Sequence, residues 1–435
     1  MAEKPWVIQV DNHVRETVLE MEKKCWDKRS IYKMPNSVTN INKKAYTPQL
    51  VSFGPYHYNN KNLNPMEEHK DRALLHVLKR SRKPLQSYFQ SLIEVVEDLK
   101  EAYESLDSDL KRDSDAFLRI MIRDGIFMLE ILRFFTENVE GFAGNDPIFS
   151  NHGRLYVMPI IGSDMLMLEN QLPMLVLHKL LAVDKGLNKE DQELTNGLIL
   201  KFFFPTEAHS KAPSNCLHAL DMYRKALLQP KAKTQHLHHH HHPPQNDILP
   251  PPIPKGHDDV IPSATELTEA GIIIKRSKTA SLKDITFSRG VLKLPPIILD
   301  DITKPLFLNL VAFERFHVGA GNEVSGFVFF MDNIIDNARD IALLSSRKII
   351  QNSSGSNKAA AELFTSLAKD VMLDSESKLG VVCMDINNYC KKSWPKYRAN
   401  LIQTYFRSPW ELLSLVAAIL LFGLTILQSV YTVLG

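Results

Sequence analysis

The sequence predicts a mainly α-helical protein: a multi-helix globular body, a small antiparallel β element and one C-terminal transmembrane helix. Three observations predict it. Long stretches place apolar residues at helical spacing. Helix start signals stand in front of several of them. The run from Leu412 to Leu434 is apolar and uncharged.

The elements follow in order. The segment "NPMEEHKDRALLHVLKR" opens with Asn64 as cap, Pro65 at the first helical position and Glu67 three residues after the cap. Met66, Ala73, Leu74, Val77 and Leu78 form its apolar face. His69 and His76 lie on the same helix and read as surface residues.

"DAFLRIMIRDGIFMLEILRFF" is a second helix. Phe117, Ile120, Met121, Phe127, Met128, Ile131, Phe134 and Phe135 make one broad stripe, and Arg119, Arg123, Glu130 and Arg133 fall on the other side. Asp124 sits inside the stripe, and a buried carboxylate needs a partner or a raised pKa. A structural ion pair is the expected answer. "DMLMLENQLPMLVLHKLL" reads as a short helix from Asp164, a break before Pro173 and a new helix after it. Glu169, Asn170 and Gln171 stand at that break, where polar groups satisfy an interrupted backbone.

Residues 229–261 are rich in proline and histidine and lack apolar periodicity. They read as a disordered linker or insertion between an N-terminal part, 31–228, and a C-terminal part, 262–407, with 1–30 as a variable leading segment. His236 and His238 to His242 read as low-complexity sequence rather than a metal site. Beyond it, Ser263 and Glu266 form a capping box for a short helix that Gly271 ends. "IIIK" and "ITFSRGVLKLPPIIL" supply the strands, with a turn near Arg289 and Gly290. Two long helical stretches follow, joined by "QNSSGSN", then a last helix from about Leu379 to Phe406.

The run from Leu412 through Phe422 to Leu434 spans ~35 Å as a helix, against ~30 Å of bilayer hydrocarbon. Fourteen of its 23 residues are Leu, Ile, Val or Phe. Lys391, Lys392, Lys396, Arg398 and Arg407 precede it, which keeps the body on the cytosolic side of a single-pass membrane protein. The start of the chain lacks the apolar core of a signal peptide. Sugar on Asn352, in the triplet "NSS", would reverse that orientation.

Composition narrows the function. The net charge of +2 is too small for a dedicated nucleic-acid binder. Cys25, Cys216, Cys383 and Cys390 fit no common zinc spacing and read as reduced thiols. The phosphate-binding loop, the nucleophile elbow and the zinc-protease motif do not occur, and "GAGNEV" lacks the third glycine of a dinucleotide fingerprint. No catalytic residue, cofactor or metal is assigned. Asp124, Glu130, Glu169 and Asn170 are the candidate functional polar cluster. An enzyme, for example a membrane-associated hydrolase, would need Asp124, Glu130, Glu169, His57 and His69 to converge in one pocket.

Six separated stretches carry a family resemblance: "IYKMPNSVTNINKKAYTPQLVSFGPYHYNNKNLNPMEEHK", "DAFLRIMIRDGIFMLEILRFF", "DMLMLENQLPMLVLHKLL", "SATELTEAGI", "LFLNLVAFER" and "YFRSPWELLSLVAAILLFGLT". In that order they resemble the signatures of the plant domain of unknown function 247, also called uncharacterised protein family 0481. The His/Pro insert and the first ~30 residues depart from the pattern. The resemblance implies a plant source and a mostly helical, membrane-anchored protein. Some grass relatives are linked to self-incompatibility as recognition determinants, and the family brings no catalytic residues. The expected partners are the lipid bilayer and an unknown protein, with no nucleic acid. The expected role is recognition or signalling through protein contacts at the plasma membrane or an endomembrane.

Overall fold

The computed structural model describes residues 26, 28–39, 42–137, 141–205, 211–229, 260–353, 355–369, 371, 377–391 and 409–434. The elements run along the chain as α1 Pro65–Ser81, α2 Leu85–Ile93, α3 Ser114–Thr136, α4 Met158–Met165, α5 Met174–Lys185, α6 Gln192–Phe203, α7 Ala219–Leu228 and α8 Ala264–Glu269. Then come β1 Ile273–Arg276, β2 Thr286–Ser288, β3 Val291–Leu294, β4 Ile297–Leu299, α9 Thr303–Phe316, α10 Glu323–Ile334, α11 Ala338–Ser346, β5 Ile350–Asn352, α12 Asn357–Ala368, α13 Lys378–Cys390 and α14 Pro409–Leu434. Shorter helical turns at Asn36–Thr39, Lys43–Tyr46, Val96–Glu101, Ser108–Arg112 and Asn151–Tyr156 fill the connections. Most of the His/Pro segment, 230–259, and the residues 392–407 before α14 lie outside the described residues.

Two compact units result. The first joins Met1–Leu237 to Asp300–Ser325, and the second joins His238–Leu299 to Gly326–Gly435. The first unit is built on α3, whose residues from Phe117 to Arg133 are mostly buried. Asp113 caps it by accepting from the Ala116 amide at 2.9 Å. α1, α2, α5 and α6 pack around α3. Glu130 and Arg133, expected on the polar side, are also buried, because α3 is covered on nearly every face.

Other expectations need adjustment. Asn64 makes no side-chain cap for α1. The Glu67 carboxylate that would complete the box is drawn instead to Lys70 and Arg123. Asp164 lies near the end of α4 rather than at a helix start. Its carboxylate is committed to amides elsewhere in the chain. The first long helical stretch after the sheet is broken at Asn337, which caps α11 with a box completed by Asp340. By contrast, the Ser263–Glu266 box on α8 forms as read, with Gly271 beyond the helix at φ +87°.

The sheet is mixed rather than antiparallel. β2 and β3 form the expected hairpin across Arg289 and Gly290, both at positive φ as a tight two-residue turn demands. β1, however, pairs with β3 in parallel, and β4 pairs with β5 in parallel. The crossover through the Ser277–Ile285 loop permits this arrangement, which a direct hairpin could not.

The expected transmembrane helix is corrected. Residues Pro409–Leu434 are helical and include Leu412, Phe422 and Leu434. Yet among the described residues no helix is long and apolar enough to cross a membrane. The last helix carries polar residues within its apolar run. Thr425 and Ser429 interrupt that stretch, bonding back to the carbonyls of Leu421 and Thr425 at 2.8 Å each.

α7 begins on His218, which is fully buried. Its Nδ1 accepts from the Asp221 amide at 3.2 Å, so Nε2 carries the proton and donates to the Ser30 carbonyl at 3.1 Å. Burial holds this imidazole down at about 4. The unfolded chain therefore binds one more proton than the native chain between pH ~6.5 and ~4, so stability falls as pH falls through that window. The loss approaches about 3 kcal/mol. His218→Asn, which keeps a cap oxygen, is expected to flatten the dependence of the urea midpoint on pH between 4 and 6.5.

Candidate functional site

The polar residues singled out in the sequence gather around one irregular segment, Gln49–Gly54. Among the described residues this stretch has no sheet neighbour, so its amides need other acceptors. Side chains supply them. Asp164 Oδ1 accepts from the Gln49 amide at 2.8 Å, and Oδ2 accepts from Leu50 at 2.8 Å and Val51 at 2.9 Å. Asn170 Oδ1 accepts from Phe53 at 2.7 Å, while its Nδ2 donates to the carbonyls of Val51 at 3.0 Å and Asp164 at 2.9 Å. Asp124 Oδ2 accepts from Gly54 at 2.8 Å.

Gly54 is fixed by two constraints. Its φ is +76°, and a Cβ there would meet the Gln171 carbonyl at 2.7 Å and the Tyr103 hydroxyl at 2.9 Å. Tyr103 donates to that same carbonyl at 3.0 Å. Gln171 donates from Nε2 to Met165 and Met167 and accepts from Leu220 at 3.2 Å. The Glu169–Asn170–Gln171 break is therefore an internal scaffold, tying α4, α5 and α7 to the segment.

Beneath it lies Lys70, fully buried on α1. Its ammonium reaches Asp124 Oδ1 at 2.7 Å, Glu67 Oε1 at 2.7 Å and the Ser52 carbonyl at 2.6 Å. Three close acceptors match its three protons. Arg123 closes the network outward, with Nη1 on Glu67 at 2.6 Å and Nε on Asp71 at 2.6 Å. Burial pushes the Asp124 carboxyl above the usual carboxylate range, against the pull of Lys70 and the Gly54 amide. Burial likewise pushes Asp164 up, opposed by its three amide donors.

The remaining candidates separate. Glu169 accepts from the Met34 amide at 2.5 Å with Oε1, and its Oε2 lies 3.4 Å from His57 Nε2. Glu130 is one helical segment away from Asp124, in a bidentate pair with Arg80 at 2.5 and 2.9 Å. Arg133 and Asp184 adjoin it at 2.6 Å from each other. The cavity between them, lined by Tyr88, Leu180 and these charges, is about the size of one water. His69 contacts Arg72, and burial with that guanidinium lowers its pKa. His76 packs tilted against Phe142, with ring centroids 4.3 Å apart.

Sequence reasoning missed several members. Lys70 and Asp164 are the largest omissions. Arg224 is another: it bonds Glu314 at 2.8 Å through Nε, and Glu314 in turn accepts from the Val324 and Ser325 amides at 3.0 and 2.8 Å. Chemically, each of these carboxylates is an acceptor for backbone or a counter-ion for a neighbour. Among the described residues no group of three or more His, Cys, Asp or Glu could hold a metal ion.

Lys70→Met is expected to cost about 3–5 kcal/mol, because it leaves Asp124 buried without its counter-charge. The native Asp124 would then hold its proton more tightly than the unfolded chain, so the deficit shrinks as pH falls toward ~4. Lys70→Met combined with Asp124→Leu should recover much of the loss. A double-mutant cycle in urea checks this, and additive losses would contradict the pairing.

Residues 31–424 match the family described as plant protein of unknown function, domain of unknown function 247. A UPF0481 protein of Arabidopsis thaliana is 32% identical over 97% of this chain and 90% of its own length. A second UPF0481 protein of that plant is 23% identical over 92% of this chain and 89% of its own. No solved structure matches. Every residue of the polar scaffold falls within the matched span, and the chain belongs to this plant family of unknown function.

Proposed function

We propose that the protein is a recognition or signalling protein that acts by binding a protein partner. The observation that supports this reading is the fate of the candidate carboxylates. Asp124, Glu130, Asp164 and Glu169 are each committed to a cation or to backbone amides. A general acid or base needs a free face toward a substrate, and a scaffold residue does not have one. The family resemblance, with its recognition role in some relatives, points the same way. Affinity capture with the full chain from plant extract should return at least one protein reproducibly and near stoichiometry. Repeated captures with no common protein would sink the reading.

One contact favours a second reading, a hydrolase. His57 Nε2 is buried without a hydrogen-bond partner, 3.4 Å from Glu169. A carboxylate beside an imidazole is the arrangement of a base and its orienting group. The two readings diverge in Glu169→Gln. Under the recognition reading it lowers thermal stability, since the Met34 amide loses a charged acceptor, and ester, phosphoester and glycoside substrates are untouched by either protein. Turnover by the native chain that disappears in His57→Gln would favour the hydrolase.

A further inference from the structure

Kinases choose an acceptor hydroxyl partly by the charges that precede it, because clefts that select basic substrates set carboxylates against those positions. Arginine stands three residues before a serine or threonine at two places in the sequence: Arg133 before Thr136, and Arg276 before Thr279. The structure separates the two. Thr136 is the last residue of α3, and its hydroxyl donates to the Leu132 carbonyl at 2.8 Å. Arg133 is buried and paired with Asp184 at 2.6 Å and Glu137 at 3.2 Å. A second protein could reach that arginine only by unwinding the end of α3.

Thr279 has the opposite setting. It is half-buried in the Ser277–Ile285 loop, outside helix and strand. Lys275, Arg276 and Lys278 are exposed, and among the described residues none of them has an ion pair. The Thr279 hydroxyl donates to Asp284 Oδ2 at 2.7 Å. Ser277 donates to the same carboxylate and accepts from the Thr279 amide at 3.1 Å. Asp284 therefore ties the two ends of the loop together through two hydroxyls, and one of those hydroxyls is the acceptor that Arg276 marks.

We propose that Thr279 is a phosphorylation site for a serine/threonine kinase that reads Arg276, and that the phosphate opens the tie to Asp284. In the transfer, Thr279 Oγ1 bonds to the γ-phosphorus of a nucleoside triphosphate held by the kinase. The bond from that phosphorus to the bridging oxygen breaks, and nucleoside diphosphate leaves. The hydroxyl proton passes to the kinase's catalytic carboxylate. The modified threonine has lost the proton that Asp284 accepts. It also places a charge of about −1.5 to −2 beside that carboxylate, and like charges so close repel. Arg276 and Lys278 lie within three residues and offer charge-assisted donors in its place. The loop exchanges a hydroxyl–carboxylate tie for a phosphate–cation tie. Phosphorylation here does not depend on the recognition reading above.

The test incubates the full chain with labelled ATP and a purified calcium-dependent kinase that selects arginine at this spacing. An acidic-directed kinase serves as the comparison. Expected from the first kinase alone is roughly one phosphate per chain, mapped to Thr279 by tandem mass spectrometry. Arg276→Gln should slow the labelling about ten-fold, Thr279→Val should abolish it at this position, and Thr279→Ser should keep it. Circular dichroism checks that each variant retains the fold. Hydrogen exchange at residues 277–285 should rise about ten-fold on modification. Label placed elsewhere with Thr279 bare, no label, or labelling that Arg276→Gln leaves within about two-fold overturns the site. So does equal labelling of Thr279 by the acidic-directed kinase. Unchanged exchange in a chain phosphorylated on Thr279 overturns the opening of the loop.

Discussion

One buried ammonium organises the first unit. Lys70 is fully enclosed, and taking its charge out of water costs several kcal/mol before any compensation. Asp124, Glu67 and the Ser52 carbonyl, all within 2.7 Å, offset that cost together, and no one of them would suffice. Because they come from α3, α1 and the Gln49–Gly54 segment, the charge can be satisfied only when all three are in place. Any arrangement that separates α1 from α3 therefore strands an ion.

The same solution recurs wherever the chain is irregular. A mainly helical body with few strands leaves loop amides without a ladder to join. Here Asp164 serves three consecutive amides, Asn170 serves Phe53, and Glu314 serves Val324 and Ser325. In the second unit Asp340 accepts from Thr265 at 2.8 Å and from Asn337 at 3.1 Å. Each carboxylate takes the place of a missing strand. Charged acceptors make stronger bonds than neutral ones, which suits positions where one group must hold several donors.

Much of this was legible in particular residues. The apolar stripe of α3 announced both the helix and the anomaly at Asp124. The same reasoning applied to α1 would have found Lys70, which shares the buried face with Met66, Ala73 and Val77 at helical spacing. Its long aliphatic stem and positive head read as surface, and only the position contradicted that. Asp164 gave no such signal, because its donors lie more than a hundred residues away. The parallel pairing of β1 with β3 was hidden for the same reason: local turn chemistry specifies the Arg289–Gly290 hairpin but not which edge a preceding strand will take. The C-terminal run is helical, as its apolar pattern predicts, yet among the described residues no helix is long and apolar enough to cross a membrane.

The polar groups thus divide into two populations with different physical standing. Most of those inside are matched donor to acceptor, whereas His57 Nε2 is buried without a hydrogen-bond partner. Their rigidity argues against a role that requires a proton or a ligand to come and go. Those on the β1–β3 face are exposed: Lys275 and Lys293 stand opposite each other in the parallel register, where like charges repel.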